Sequence, residues 1–233
     1  MDVALYMVAT PIGNMDDITY RAVRTLGEVD VIACEDTRHT SLLLNHYDIH
    51  KRLIACHSYN EDASAKGVVQ LLEGGQSVAY VSDAGTPGVS DPGARLAGAV
   101  RKAGFPVIPI PGASASVTLV SAAGFVGKSF TFEGFLSPKP GRRKERLESL
   151  LSRDEAFIIY ESPFRVVKTL KEIAALAPQR QIVAGREMTK LHEEYLTGTA
   201  GEVAATLEGR QAVKGEFAIL VRPEEADDHA EET

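Results

Sequence analysis

The sequence predicts an α/β protein whose N-terminal half forms a parallel sheet and whose C-terminal half forms a mixed sheet. Apolar runs of strand length, rich in β-branched residues, alternate with segments of helical spacing through the first half. Strands that are apolar on both sides and alternate with helices are typical of parallel sheets covered on both faces. After residue 110 the alternation becomes irregular, and two neighbouring extended segments near the end of the chain indicate a mixed sheet.

Five strands are predicted in the first half, over residues 3–9, 29–34, 53–56, 78–81 and 107–110. Helices are predicted over residues 18–26, around 68–72 and over 96–102, and a further helix begins near Thr40. Asp17 is the expected cap of the first helix, while glycines end the helices near 72 and 102. Ligands of such sheets bind beyond the carboxyl ends of the strands, so the loops there are candidates for a site.

The second half is predicted to hold five more strands and four helices. The strands cover residues 130–135, 157–160, 182–184, 195–197 and 217–221, and the helices cover 114–123, 142–151, 166–177 and 203–207. We therefore expect an N-terminal domain over residues 1–112, a C-terminal domain over 113–222 and a disordered acidic tail over 223–233.

Composition excludes several classes of protein. The chain has 233 residues, of which 44% are hydrophobic and 24% charged, and no apolar run reaches the length of a membrane span. The N-terminus lacks the basic segment of a signal peptide. Because Cys34 and Cys56 are the only cysteines, a disulfide scaffold is excluded, and we expect a cytoplasmic protein.

The net charge of −7 argues at first against a nucleic-acid partner, because phosphate binding needs a basic surface. The charge is distributed unevenly along the chain. Residues 1–112 hold 9 basic and 13 acidic side chains, residues 113–222 hold 16 and 13, and residues 223–233 hold 6 acidic side chains and no lysine or arginine. The average therefore conceals a weakly basic second domain that is suited to contact RNA.

The common phosphate-binding and metal-binding motifs are missing. The sequence contains no G-x-G, and the relaxed phosphate-loop pattern at residues 122–129 has a predicted helix before it and a strand after it, the reverse of the required order. Cys56 and His57 are adjacent rather than spaced as metal ligands, and neither C-x-x-C nor H-E-x-x-H occurs. We therefore interpret the phosphate-loop pattern as a chance match and expect no metal site.

Three loops rich in small residues follow the first, fourth and fifth strands. They cover residues 10–14, 82–93 and 111–116. Because carboxyl ends of parallel strands share one edge of the sheet, we expect the three loops to lie together, where small residues allow a ligand to approach the backbone closely. Taken alone, the segment 82–93 is equally well interpreted as a structural double turn. Its two companions favour a single ligand site.

Charged residues also follow predicted strands. Glu35 and Asp36 come after the second strand, where a carboxylate can act as a base or substrate anchor, or can simply cap the next helix. Residues 185–194 form a charged loop that is either merely solvated or part of a site. Residues 139–146 contain five basic residues and one acidic residue. Cations in a first helical turn oppose the helix dipole, so we favour a phosphate-binding surface as the interpretation of that run. The alternative is that these residues are simply the solvent-exposed start of a helix.

Six motifs in this order resemble those of the ribosomal RNA methyltransferases of the tetrapyrrole methylase superfamily. They lie at residues 8–19, 34–38, 81–93, 109–115, 160–163 and 185–190, and the likeness covers about residues 3–222. The resemblance implies a two-domain α/β protein, usually a homodimer, that binds S-adenosylmethionine in a cleft between its domains. It also implies methylation of the ribose 2′-hydroxyl of a cytidine in the RNA of the small ribosomal subunit.

The resemblance and the chemistry together nominate site residues. Matching by position implies that the cofactor-binding residues are Pro11, Ser82, Asp83, Ala84, Ser114, Ala115, Tyr160 and Glu161. A ribose hydroxyl is a poor nucleophile that needs a base or a cation nearby, and the strand-end candidates for catalysis are Glu35, Arg186, Glu187 and Lys190. The candidate RNA-binding residues are Lys139, Arg142, Arg143, Lys144 and Arg146.

Two other functions remain open from the sequence. One is methylation of a small tetrapyrrole-like substrate, which gives the basic run no role. The other is a noncatalytic RNA-binding module, which would not bind S-adenosylmethionine.

Overall fold

The computed structural model describes residues 1–56, 61–124, 127–153 and 155–224. The chain divides into two compact units, Met1–Ser114 and Ala115–Thr233. Unit 1 contains a five-stranded parallel sheet and unit 2 a five-stranded mixed sheet, which confirms the predicted fold class. The interpretations that concern His57, residues 125–126 of the phosphate-loop pattern and residues 225–233 of the tail lie outside the described residues.

Unit 1 alternates strands and helices. Its elements are β1 (Leu5–Val8), α1 (Tyr20–Glu28), β2 (Val31–Cys34), α2 (Thr37–His46), β3 (Arg52–Ala55), α3 (Glu61–Glu73), β4 (Val78–Val81), α4 (Ala94–Lys102) and β5 (Val107–Ile110). The strands pair in the order β3-β2-β4-β1-β5, and all pairings are parallel. Because both faces of the strands are apolar, the sheet is covered on both sides.

Alternating side chains divide the core of unit 1 into two layers. Tyr6 and Val8 of β1 pack with α1 and α2 on one face, whereas Leu5 of β1 and Tyr80 of β4 pack with α3 and α4 on the other. The chain therefore leaves the neighbouring strands β1 and β4 toward opposite faces. This divergence is the switch point at which doubly wound sheets bind their ligands.

Unit 2 packs helices on both faces of its sheet. Its elements are α5 (Ala115–Ala122), β6 (Phe130–Phe135), α6 (Pro140–Leu151), β7 (Ala156–Glu161), α7 (Val166–Leu176), β8 (Gln181–Arg186), β9 (Glu194–Thr199), α8 (Ala200–Glu208) and β10 (Phe217–Val221). The strand order is β6-β7-β10-β8-β9, with β6 parallel to β7 and the other pairings antiparallel. Strands β6, β7 and β8 thus run in one direction and end at one edge of the sheet.

Some element boundaries differ from the sequence prediction. Asp17 was predicted to cap α1, but it ends a short 3-10 turn, and the cap is Thr19, whose side chain accepts a hydrogen bond from the Ala22 amide. Helix α2 begins at Thr37 rather than near Thr40, because Asp36 caps it. In the ranges that the structure covers, no helix combines the length and apolar character needed to cross a membrane.

Candidate active site

Four loops of unit 1 meet beyond the carboxyl ends of its strands. Thr10 and Gly85 exchange two backbone hydrogen bonds with N···O distances of 2.9 and 3.1 Å. The Thr86 hydroxyl donates to the Ala113 carbonyl oxygen at 3.0 Å, which joins the loop after β4 to the loop after β5. The Asp36 amide donates to Asp83 Oδ1 at 3.2 Å and adds the loop after β2. The expected convergence of the strand-end loops is therefore observed, and we call this set the loop cluster.

Glycines allow the backbones of the loop cluster to approach one another. Gly85 has a φ of +75°, and a Cβ atom there would lie 3.3 Å from Cγ2 of Ile12. A Cβ atom on Gly112 would lie 2.9 Å from the Cβ of Ala9, closer than side chains normally approach. The small residues identified in the sequence are therefore required by the contacts between the loops.

The loop cluster presents main chain and carboxylate groups to solvent. Asp83 and Ala84 are exposed and Pro11 is half-buried, while Ser82 is buried and its hydroxyl donates to the Ala84 carbonyl oxygen at 3.4 Å. The buried hydroxyl oxygen of Thr10 has no hydrogen-bond partner among the described residues. Among the predicted cofactor residues of unit 1, the structure thus brings Pro11 and the segment 82–84 into contacting loops.

Asp36 serves chiefly as a helix cap. Its carboxylate accepts a hydrogen bond from the Arg38 amide at 2.8 Å and pairs with the Arg38 guanidinium at 3.1 Å. These interactions with Arg38 lower the pKa of Asp36 to about 2, so the group stays ionised and is a poor base. Of the two interpretations of Asp36, the structure favours the cap. Glu35, one residue earlier, is half-buried at the end of β2.

A charged cluster follows β8 in unit 2. The Lys190 ammonium donates to Glu187 Oε1 at 3.0 Å and to Glu216 Oε2 at 2.8 Å, and the Glu216 amide donates to the same Glu187 oxygen at 2.9 Å. The side chains of Glu187 and Lys190 are only 20% and 29% exposed. The loop is therefore a built structure rather than a merely solvated run, and we call these three residues the ion cluster.

Backbone strain accompanies the ion cluster. Glu187 and Thr189 have φ values of +48° and +67°, in the left-handed region that residues other than glycine rarely adopt. Such conformations persist where the surroundings hold them and are concentrated at functional sites. Gly185 leaves room for Met188 in this turn, because a Cβ atom at position 185 would lie only 2.5 Å from the sulfur of Met188.

The ion cluster fixes the protonation states of its members. A hydrogen bond from the Glu216 amide, followed by the contact with Lys190, lowers the pKa of Glu187. Burial opposes the charged form of Lys190, but its hydrogen bonds to Glu216 and Glu187 outweigh this and raise the pKa of Lys190. Lys190 is therefore a stable cation, and Glu187 is an ionised anchor with little tendency to accept a proton.

Arg186 is the remaining catalytic candidate of unit 2, and its guanidinium group contacts neighbouring loops. Its Nε donates to the Lys214 carbonyl oxygen at 2.6 Å, and its Nη1 lies 3.5 Å from a carboxylate oxygen of Glu194. Its side chain is 18% exposed. Arg186 thus braces the loops beside the ion cluster.

Tyr160 and Glu161 at the end of β7 have different surroundings. The Tyr160 hydroxyl oxygen accepts a hydrogen bond from the Ser116 amide at 3.0 Å, which ties β7 to the start of α5, where Ala115 lies. Glu161 is 2% exposed, and its carboxylate accepts hydrogen bonds from the Ser162 amide, Arg165 and Thr169 at 2.8 to 2.9 Å. The role of Glu161 in cofactor binding stays a prediction, and these hydrogen bonds show that its carboxylate also holds the loop after β7.

The basic run splits into exposed and structural residues. Arg143 is 2% exposed and forms two hydrogen bonds of 2.6 Å with Glu172, and Arg146 forms two of 2.7 and 2.5 Å with Glu133. Both RNA contacts stay predictions, and these ion pairs give each guanidinium group a structural role within unit 2. Lys139, Arg142 and Lys144 are exposed and remain candidates.

Sequence reasoning missed Glu216 and Thr169, which complete the ion cluster and the Glu161 network. Glu216 meets Lys190 across 26 residues of chain, and no local pattern marks such a pairing. Gly215 is the sequence feature related to this pairing, since a glycine before a strand often marks a close approach of another group. In the structure it has a φ of +91° and lies directly beside Glu187. In the part of the chain that the structure covers, no group of three His, Cys, Asp or Glu side chains forms a metal-binding arrangement.

Comparison with known proteins gives consistent matches. Residues 4–204 match the family described as Tetrapyrrole (Corrin/Porphyrin) Methylases. The chain is 47% identical over 218 residues to ribosomal RNA small subunit methyltransferase I of Borrelia garinii, covering 93% of this chain and 97% of that protein. It is 44% identical over 230 residues to the Haemophilus influenzae protein of the same name, covering 98% and 81%.

Solved structures share the fold. Uroporphyrin-III C-methyltransferase from Thermus thermophilus, complexed with S-adenosyl homocysteine, has a TM-score of 0.66 at 18% identity, covering 93% of this chain and 96% of that one. Cobalt precorrin-4 methyltransferase has a TM-score of 0.71 at 16% identity, covering 94% and 95%.

Proposed function

The chain belongs to the tetrapyrrole methylase family and is a methyltransferase, and from this premise we propose that its substrate is small-subunit ribosomal RNA. The proposed reaction transfers a methyl group from S-adenosylmethionine to the ribose 2′-hydroxyl of a cytidine. The observation that carries the proposal is the 47% identity to a ribosomal RNA small subunit methyltransferase I along 97% of its length.

The loop cluster is suited to hold the cofactor in unit 1. S-adenosylmethionine supplies an electrophilic methyl group on a positively charged sulfur and also carries an ammonium group. A cationic ligand favours a site with carboxylates, and the loop cluster offers the exposed carboxylate of Asp83, the half-buried Glu35 and the open main chain of Ala84. The buried hydroxyl of Thr10, which lacks a described partner, lies in the same set of loops. The residues of the loop cluster therefore fit S-adenosylmethionine.

Removal of the Asp83 carboxylate tests this assignment. Asp83→Asn should weaken S-adenosylmethionine binding roughly ten- to hundred-fold in a calorimetric titration, because a charge-assisted hydrogen bond contributes about 1.5–3 kcal/mol. Asp62→Asn, an exposed aspartate on α3, serves as the control and should bind normally. Normal cofactor affinity in Asp83→Asn would remove this residue from the proposed site.

Lys190 is the residue that we propose for catalysis. The hydroxyl proton of the ribose passes to water as its oxygen bonds to the methyl group, and a fixed ammonium group stabilises the negative charge that the oxygen gains. The contacts of Lys190 with Glu187 and Glu216 hold it as a cation in a defined position. Glu187 is ionised with a lowered pKa, so we assign it the task of positioning Lys190 rather than that of a base. Glu35 and Arg186 remain weaker candidates.

The direct test of the function follows the methyl group. Small ribosomal subunits and free ribosomal RNA are incubated with the protein and S-adenosylmethionine that carries a labelled methyl group. We expect label in the RNA of the small subunit and none in large-subunit RNA. Absence of label from both small-subunit substrates would overturn the proposal.

A second candidate substrate is a small tetrapyrrole-like molecule, which the family description names. The exposed cations at the start of α6 separate the candidates. Lys139 precedes the helix, and Arg142 and Lys144 lie in its first turns. Reversing Lys139, Arg142 and Lys144 together to glutamate should weaken RNA binding by roughly an order of magnitude or more and flatten its salt dependence. Arg143 and Arg146 are left intact because they form internal ion pairs. RNA binding that is unchanged in the triple variant would show that these cations take no part in RNA recognition, as the small-substrate alternative expects.

We also propose that the protein acts in the cytoplasm, on small-subunit ribosomal RNA or on the small ribosomal subunit, and that it is a homodimer. Two free, buried cysteines are compatible with a reducing compartment. Sedimentation should give twice the 25.1 kDa mass of one chain. A single-chain mass at micromolar concentration would refute the dimer.

A further inference from the structure

One edge of the unit 2 sheet carries three large apolar side chains that face solvent. Phe135, Phe164 and Leu191 are 61%, 94% and 93% exposed, and they lie at or after the ends of β6, β7 and β8. Those three strands end at the same edge because they run in one direction. Large apolar side chains that share one edge mark an interaction surface rather than random exposure.

Phe164 stands on a fixed loop. The carbonyl oxygen of Ser162 accepts hydrogen bonds from the amides of Arg165 and Val166 at 3.1 and 3.0 Å. The Arg165 side chain donates to Glu161 Oε2 and to the Leu136 carbonyl oxygen, both at 2.9 Å. Because the residues on its C-terminal side are anchored, the ring is presented to solvent with little loss of chain entropy on binding.

Cations accompany the exposed ring. The bond from Arg165 to the Leu136 carbonyl joins the Phe164 loop to the segment that leads into α6, where Lys139 and Arg142 are exposed. In the part of the chain that the structure describes, neither of these two side chains forms an ion pair. An exposed ring on a loop that is hydrogen-bonded to a segment with unpaired cations matches a nucleic-acid strand, which offers a base to stack and phosphates to neutralise. An apolar protein partner would leave these charges unmatched.

We propose that Phe164 stacks on an unpaired base of the RNA substrate while Lys139 and Arg142 contact neighbouring phosphates. The identity of the RNA rests on the proposed function, but the stacking itself does not. The surface thereby selects single-stranded over double-stranded RNA, because a base inside a duplex has no free face to offer.

Binding of a short single-stranded RNA of mixed sequence tests the ring. Phe164→Ala should weaken binding on the order of ten-fold, and Phe164→Tyr should retain it, since stacking needs an aromatic face. Phe164→Leu keeps the apolar area without the ring and should lose nearly as much as Phe164→Ala. Tyr20→Ala removes an aromatic side chain that is 96% exposed on α1 in unit 1, and as the matched control it should bind normally.

The same oligonucleotide with abasic residues completes the experiment. Phe164→Ala should have no effect on this probe, because there is no base to stack. The proposal would be overturned if Phe164→Ala lost equal affinity for both probes, or if Phe164→Leu bound fully. It would also be overturned if Phe164→Ala converted a dimer to a monomer in sedimentation, because the ring would then contact a second copy of the chain. Methylation of small-subunit RNA by the unaltered protein, measured in parallel, reports separately on the proposed function.

Discussion

Replacing Lys190 by methionine should lower the rate of methyl transfer about 10²-fold while leaving the affinity for S-adenosylmethionine unchanged, because removal of one fixed donor from a developing oxyanion typically costs that much. Methionine keeps much of the length and apolar stem of lysine and removes only the charge. Single-turnover transfer from labelled cofactor to small ribosomal subunits measures the chemical step, and calorimetry measures the binding of the cofactor.

The matched control for Lys190 is Lys171→Met. Lys171 pairs with Glu208 on the surface of α7, where both side chains are more than half exposed, and such pairs contribute little. We expect normal transfer in this variant. A Lys190→Met protein that transfers methyl groups at the normal rate, or that loses cofactor affinity in proportion to rate, would contradict the role assigned to Lys190.

Glu172→Ala should reduce the free energy of unfolding of unit 2 by about 3–5 kcal/mol, because it leaves the buried Arg143 charge without its partner. The Arg143 side chain is 3% exposed, and its two other hydrogen bonds, to the carbonyl oxygens of Ser137 and Pro138, are longer, at 3.4 and 3.3 Å. The pairing with Arg143 lowers the pKa of Glu172, so the ion pair is fully formed at neutral pH. Urea unfolding followed by circular dichroism measures the loss.

Glu148→Ala is the control for the Glu172 variant. Glu148 lies 3.7 Å from Lys144 at the surface of α6, and its removal should change the unfolding free energy by less than about 1 kcal/mol. Equal stabilities of the Glu172→Ala and unaltered proteins would show that Arg143 is not held as described.

The sequence allowed the strands and their loops to be placed because their signals are local. The apolar runs of β4, β5 and β10 have the predicted bounds, and the loop cluster follows from the rule that parallel strands end together. Which partner each charged side chain pairs with depends on residues far away in the sequence, so these ion pairs and hydrogen bonds could not be predicted. Arg143 meets Glu172 across 29 residues, and Glu161 is occupied by Thr169 on the following helix.

Competition between similar local signals explains the other differences. Asp17 and Thr19 are both good caps, and the 3-10 turn that ends at Asp17 leaves Thr19 to begin α1. The exposure of Phe164 could not be predicted from the sequence either, because an aromatic residue shortly after an apolar strand is usually buried in the core. Only the folded loop shows that the ring faces solvent.

The position of the transferred methyl group distinguishes methylation of the ribose from methylation of a base. Small-subunit RNA labelled from S-adenosylmethionine is hydrolysed with alkali, which cannot cleave beside a ribose whose 2′-hydroxyl is methylated. We predict that the label appears in an alkali-resistant dinucleotide with cytidine at its 5′ position. Label recovered in mononucleotides would place the methyl group on a base and rule out ribose methylation by this protein.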